Sequence, residues 1–309
     1  MSKKVLVATE KPFAKVAVNG IAEIIKQAGY ELVLLESYTA KGDLLKAVAD
    51  ADALIIRSDK VDEEVLQGAA KLKIVVRAGA GYDNIDLKAA AAKNVVAMNT
   101  PGQNSNAVAE LVFGLMLQLA RRGYTGKDGT ELRHKKIGIH AYGNVGKYVA
   151  KIAKGFGMEI LAFDPYIPAE KIKADGVTPV NSLDDLYSSC EYISLHLPKT
   201  KETVNSVNFA LLSKMKKGAI LINTARAEVV DEPSLLKMFV ERADFMYAAD
   251  VEPTPETKKE LAEKYPGRFF FTAKKMGAQT SEANINAGLA AARQIVNFFE
   301  KGDKTFQVN

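Results

Sequence analysis

Short β-branched runs alternate with amphipathic stretches along the whole chain, and that rhythm leaves few folds open. "KKVLVA" (3–8), "YELVLL" (30–35), "ALIIR" (53–57), "KIVVRA" (73–78) and "VVAMN" (95–99) read as buried parallel strands. Segments 13–28 and 41–50 between them carry apolar residues at helical spacing. The rhythm returns in "KKIGIHA" (135–141), "EILAFD" (159–164), "YISLHL" (192–197), "AILINT" (219–224) and "FMYAAD" (245–250). Parallel strands need a crossover between each pair, so the expected class is α/β. The expected architecture is two doubly wound parallel-sheet (Rossmann-like) domains with an interdomain cleft. A length of 309 residues suits two domains, and no internal repeat or low-complexity segment interrupts them.

The long apolar segment "NAVAELVFGLMLQLARR" (106–122) separates the halves and reads as a buried or interface helix. The polar, glycine-rich "GYTGKDGTE" (123–131) follows it. A last helical segment, 281–301, comes after the second sheet is complete, so it is expected to return to the first domain. That places the domains at 1–98 with 283–309 and at 99–282.

Composition narrows the function. The net charge is +5 and the lysines are spread over the chain, so no basic stripe marks a nucleic-acid binder; a small anionic substrate suits the charge better. One cysteine, Cys190, and three histidines leave neither an internal disulfide nor a structural zinc site, and no metal is expected. No stretch has the apolar length to span a bilayer, and "MSKKVLVATEK" runs straight into a strand rather than a signal peptide. A reducing, cytoplasmic setting is expected, without nucleic-acid or membrane partners.

The chemistry begins at "GIHAYGNVG" (138–146), which fits the dinucleotide-binding G-x-G-x-x-G except that Ala141 replaces the first glycine. A strand precedes it and an apolar-faced helix follows. Gly143 then falls where backbone approaches pyrophosphate, and Gly146 where helix packs on strand. Alanine suits position 141 provided its φ is negative. Asp164 stands eighteen positions after Gly146, near the spacing of an acidic ribose ligand, and the Pro165 and Tyr166 that follow favour NAD over NADP. The alternative, an ordinary glycine-bearing strand-helix turn, leaves the register of Asp164 unexplained.

"RAGAGYDNIDLKAA" (77–90), "MNTPGQNSNAVAEL" (98–111), the turn at 138–146, "HLPKTKET" (196–203), "LINTARAEVVDE" (221–232) and "MGAQT" (276–280) together resemble, in this order, the D-2-hydroxyacid dehydrogenases. Within that family "IIRSDKV" (55–61) is most similar to the D-3-phosphoglycerate dehydrogenases. The chain stops at 309 without the regulatory domains many of those enzymes carry, so a short form outside serine control is expected. The resemblance implies an NAD-binding second domain, a flavodoxin-like substrate-binding first domain and a homodimer through 106–122. It implies oxidation of D-3-phosphoglycerate to 3-phosphohydroxypyruvate. A glyoxylate or hydroxypyruvate reductase, and a non-catalytic NAD-sensing protein, stay open.

Carried over position by position, Arg226 matches the catalytic arginine, whose planar fork can hold a carboxylate and a C2 oxygen. Asn144, Val145, His196, Pro198, Thr203, Thr224, Ala225 and Asp250 match cofactor contacts, with Asp250 near the nicotinamide amide. A lone His196 after a strand could equally be a packed polar residue, and His140 reads as structural. The backbone of Ala80 and Gly81 could receive the substrate carboxylate, or could simply form a tight turn. Arg57, Ser58 and Lys60 lie past a strand end where a phosphate would need cations, with Arg77 a weaker candidate; a solvated loop is the plainer alternative.

The family's catalytic histidine is replaced by Lys275. Either Lys275 carries the proton, or the site has lost its chemistry and Lys275 only balances charge. A lysine ordinarily titrates near about 10.4, so a working base requires burial or a neighbouring cation such as Arg226 to lower that value. Lys274 is expected to face away, since neighbours on an extended segment alternate. The partner acid matches Glu252 across a gap; a carboxylate there would raise the lysine's pKa, so its part stays open.

Overall fold

The computed structural model describes residues 2–309. In chain order the elements are β1 (Lys4–Thr9), α1 (Lys15–Gln27), β2 (Glu31–Glu36), α2 (Lys41–Val48), β3 (Ala53–Ile56), α3 (Glu63–Gly68), β4 (Ile74–Arg77), α4 (Leu87–Ala92) and β5 (Val96–Asn99). Then come α5 (Ser105–Ala120), β6 (Lys136–His140), α6 (Asn144–Gly155), β7 (Glu159–Phe163), α7 (Ala169–Ala174), β8 (Thr178–Pro179), α8 (Leu183–Ser189) and β9 (Tyr192–Leu195). The series closes with α9 (Phe209–Leu212), β10 (Ile220–Asn223), α10 (Glu232–Glu241), β11 (Met246–Ala249), α11 (Pro255–Lys264), β12 (Phe269–Phe271) and α12 (Ser281–Lys301). The strand-helix alternation read from the sequence is therefore present throughout. Thr178–Pro179 and Phe269–Phe271 add two short edge strands that the sequence reading did not include.

The chain divides into two compact units, Met1–Asn104 with Gln279–Asn309, and Ser105–Ala278. In the first, five parallel strands run in the order β2-β1-β3-β4-β5, the flavodoxin order. Alternate side chains of β1 go to opposite cores. Val5 and Val7 meet α1 and α12, whereas Leu6 and Ala8 join the core formed with Leu44, Val48, Val65 and Leu66. Both faces of the inner strands are buried, which is why they read as continuous apolar runs rather than alternating ones. The tail pairs with the edge strand, Gln307 bridging Met98 antiparallel and Val308 N donating to Ala97 O.

The second unit has seven parallel strands in the order β12-β11-β10-β9-β6-β7-β8. This is the doubly wound dinucleotide order, with its switch point between β6 and β9. The α5 helix buries Val108, Ala109, Val112, Phe113, Leu115 and Met116 within this unit. It packs on α6 and on β10, β11 and β12. Asp62, Asp86, Ser182, Asn208, Asp231 and Thr280 cap their helices by accepting a backbone N–H. No side chain caps α6.

Candidate active site

The glycine turn closes differently from expectation. Ala141 has φ +78°, not a negative value. For an alanine that left-handed backbone costs roughly 1–2 kcal/mol. Neighbouring hydrogen bonds hold it: Ala141 N donates to Phe163 O at 2.9 Å, and Tyr142 N to Asp164 Oδ2 at 2.8 Å. At Gly146 an added Cβ would lie 2.6 Å from Ala141 O and 3.0 Å from Ile139 Cγ2, so helix and strand approach too closely for a side chain. Gly143 is different, since an added Cβ there would meet nothing within 4 Å. The first bond of α6 is Lys147 N to Gly143 O, and among the described residues the N–H groups of Asn144, Val145 and Gly146 have no acceptor. Open space over Gly143 beside three unpaired N–H groups is what a pyrophosphate requires.

Asp164 has a local task as well as its expected one. Its Oδ2 receives Tyr142 N and its Oδ1 receives Tyr166 N at 2.8 Å, so the half-buried carboxylate ties the ribose position to the glycine turn. Each oxygen keeps a second lone pair for a ribose hydroxyl. His140 is buried, its Nδ1 3.0 Å from Tyr187 Oη, and burial pulls its pKa down to about 4. His196 N donates to His140 O at 2.9 Å and its Nε2 meets Ser194 Oγ at 2.9 Å. Burial, then the neighbouring His140, pulls the His196 imidazole down to about 3. Both rings are neutral near pH 7, which suits packing and ligand contact rather than proton transfer. Thr203 Oγ1 donates to Pro198 O at 2.6 Å, closing the 198–203 loop on itself.

Three neighbouring strand ends then come together. After β10, Thr224 is buried with its hydroxyl oxygen unpartnered, an orphan that a bound cofactor could satisfy. Asn223 clamps this turn, accepting from Ala225 N and donating to Arg226 O, both at 2.9 Å. The sequence reading passed over Asn223, although an Asn at a strand end is an Asx-turn signal. Arg226 is half-buried, and among the described residues its guanidinium makes one hydrogen bond, Nη1 to Ala225 O at 2.9 Å. After β11, Asp250 is 1% exposed and faces the 272–277 loop: its Oδ1 accepts from Thr272 Oγ1 at 2.9 Å and from Met276 N at 2.5 Å, its Oδ2 from Gly277 N at 2.8 Å. The carboxylate expected near a nicotinamide amide thus anchors the backbone just past Lys275.

One expectation about this loop is corrected: Lys275 is exposed, so the burial expected to tune it is not provided. Lys274 is exposed as well, in a bend at residues 273–274 rather than on an extended strand. Glu252 pairs with Lys258 at 2.6 Å.

In the first unit, Arg57 already has several partners. Its Nη1 donates to Lys11 O at 2.8 Å and Pro12 O at 2.9 Å, its Nη2 to Asn284 Oδ1 at 2.6 Å, and its guanidinium lies over the Phe13 ring. Ser58 and Lys60 are exposed. Between them the buried Asp59 accepts from Glu10 N, Tyr38 Oη and Arg57 N, fixing the loop from inside. Arg77 Nε donates to Arg57 O at 3.1 Å, which makes Arg77 a brace for this loop. Ala80 and Gly81 sit in a tight loop after β4, and among the described residues their N–H groups donate to nothing.

Comparisons with known proteins bear on the fold and the cofactor. Residues 113–266 match the family described as D-isomer specific 2-hydroxyacid dehydrogenase, NAD binding domain. The crystal structure of cofactor (NAD+) bound 3-phosphoglycerate dehydrogenase from Entamoeba histolytica is 48% identical with a TM-score of 0.87, covering 100% of this chain and 99% of that one. The D-3-phosphoglycerate dehydrogenase of Methanocaldococcus jannaschii is 37% identical over 82% of this chain and 51% of its own length. This chain therefore spans about half of that relative. The hydroxypyruvate reductase of Thermotoga maritima is 34% identical over 86% of this chain and 90% of its own. Two doubly wound sheets, an NAD-binding turn and these relatives lead to one conclusion: the chain belongs to the D-2-hydroxyacid dehydrogenases.

Proposed function

We propose that the chain oxidises D-3-phosphoglycerate to 3-phosphohydroxypyruvate with NAD+. The observation that supports this reading is the position of two cationic residues after strands on either side of β11 in the second sheet. Arg226 follows β10 and Lys275 follows β12, while Asp250, at the end of the strand between them, holds the Lys275 loop. When bound, NAD+ supplies the ring that accepts hydride from C2. Gly143, Asn144, Val145 and Gly146 hold its pyrophosphate and Asp164 its ribose. His196, Pro198, Thr203, Thr224 and Ala225 line the remainder. Arg226 orients the C2 oxygen with the guanidinium donors that Ala225 O leaves available. Lys275 takes the hydroxyl proton in oxidation and returns it in reduction. Glu252, engaged by Lys258, is not needed in this path, because an amine has no tautomer to fix. In the first unit Ala80 and Gly81 receive the carboxylate, and Ser58 and Lys60, with the remaining donors of Arg57, receive the phosphate.

A spectrophotometric assay with D-3-phosphoglycerate and NAD+ at raised pH tests the reading. NADH formation should climb toward alkaline pH, since oxidation needs the neutral amine, and reduction of the keto acid should persist near neutrality. Lys275→Ala should lower turnover by about a hundredfold or more while sparing NADH binding. Protein that binds NADH but turns over no 2-hydroxy or 2-keto acid across a wide pH range would sink the proposal. Hydroxypyruvate reduction is the second reading, favoured by how fully Arg57 is engaged. Under it, Lys60→Gln leaves activity on the phosphorylated acid unchanged; under the first, the KM for that acid rises. A homodimer belongs to the same proposal. The inner face of α5 is already packed, so assembly would use its exposed Asn106, Glu110 and Gly114, and light scattering decides it.

A further inference from the structure

The geometry points to Asn99 as a positioning residue that aims the two free N–H groups of the 79–81 loop, with Gln294 of α12 behind it. In a trans peptide the carbonyl of one residue and the N–H of the next point in opposite directions, so fixing one fixes the other. Gly79 O accepts from Thr100 N at 2.9 Å, which turns the N–H of Ala80 away from residue 100. Ala80 O accepts from Asn99 Nδ2 at 2.6 Å, which turns the N–H of Gly81 away from residue 99. Both carbonyls face the end of β5 and the residue after it, so both N–H groups leave the loop on its other side. Two successive N–H groups with a common aim form an anion-binding nest.

Asn99 is held in its turn. Its backbone oxygen receives Gln294 Nε2 at 3.0 Å, and Asn99, Thr100 and Gln294 are all buried. Gly79 has φ +154°, a backbone that only glycine adopts readily, and the Arg77 guanidinium occupies the space its Cβ would need. The loop is therefore set from one side by Asn99 and from beneath by Arg77. Neither Asn99 nor Gln294 is assigned to substrate or cofactor: each acts through the direction of a peptide plane.

This inference rests on the reading that Ala80 and Gly81 receive a carboxylate, and the experiment separates the two. In 15N-labelled wild-type protein, the Ala80 and Gly81 amide resonances are followed while D-3-phosphoglycerate, and separately glyoxylate, is added. Both amides should shift. In Asn99→Ala the KM for either acid should rise about tenfold, the scale of one hydrogen bond to a charged group, with kcat within about twofold and NADH affinity unchanged. A residue that only supported folding would lower kcat and NADH binding together. If Asn99→Ala does not fold, Gln294→Met decides in its place, with a KM rise of about threefold expected for a brace one step further back. Wild-type amides that answer neither acid would show that the loop receives no carboxylate and would end both ideas. Amides that shift, beside a variant whose KM is unchanged, would overturn the positioning role alone.

Discussion

At the scale of single residues, Ala141 shows how a motif can be right while its local physics is misjudged. The pattern at 138–146 identified a nucleotide turn, but its alanine adopts the glycine-like φ of +78° instead of avoiding it. Ala141→Gly removes a strain of roughly 1–2 kcal/mol and adds back about 0.4–1 kcal/mol of unfolded-chain entropy. The variant should therefore be more stable by up to about 1.6 kcal/mol, seen as a Tm higher by up to about 3–6 °C. A Tm at or below that of the parent protein would mean that the Asp164 and Phe163 contacts have already removed the strain. Residue identities were legible in this way; what each side chain is already doing was not. Arg57 and Arg226 look alike in the sequence as arginines after strands, yet one is tied to three oxygens and the other to one. Partners such as Lys11 O and Asn284 are far from Arg57 along the chain, so no spacing rule announces them.

At the scale of elements, apolar β-branched runs marked ten strands, most of them buried on both faces. The other two carry weaker signals. Thr178–Pro179 holds a proline that cannot donate to a ladder, and Phe269–Phe271 is only three residues long, beside "YPGR". Where strand ends meet, burial has a consequence for acid stability. His140 closes β6 with 5% exposure and a pKa pulled from 6.5 to about 4. Above pH about 6.5 the ring is neutral in both folded and unfolded chains and contributes no pH dependence. Below that the unfolded chain takes up a proton that the folded one refuses, so stability falls as pH falls. The slope approaches 1.4 kcal/mol per pH unit at most, roughly, and flattens near the folded value. Denaturant titrations of wild type and His140→Gln should thus diverge in slope between about pH 6.5 and 4. Parallel curves would show that the buried ring accepts its proton without cost.

At the scale of the whole molecule, continuity in sequence decides which half can stand alone. Ser105–Ala278 is one uninterrupted stretch. Both faces of its sheet are covered from within, by α5 and α6 on one side and by residues of α8, α9 and α10 on the other. The first unit is cut in two, and the missing piece is not peripheral. From α12, Ala287, Ala291, Ala292 and Ile295 pack into the core of Val5, Val7, Ile21, Ile55 and Val76. Phe13 and Ile21 close on Gly288, and Leu289 crosses Gly20. Re-exposing a large apolar side chain costs roughly 1.5–3 kcal/mol, and several would be uncovered at once, against a total domain stability of about 5–15 kcal/mol. A fragment of residues 105–278 should therefore unfold cooperatively and enhance NADH fluorescence, because the glycine turn, Asp164 and Thr224 all lie inside it. It should turn over no hydroxy acid, since Ala80 and Gly81 are absent. A fragment of residues 1–104 should bind a hydrophobic dye and lack a cooperative transition until a peptide carrying 279–309 is added. Cooperative unfolding of 1–104 alone, with no dye bound, would mean that α12 covers a core already complete without it.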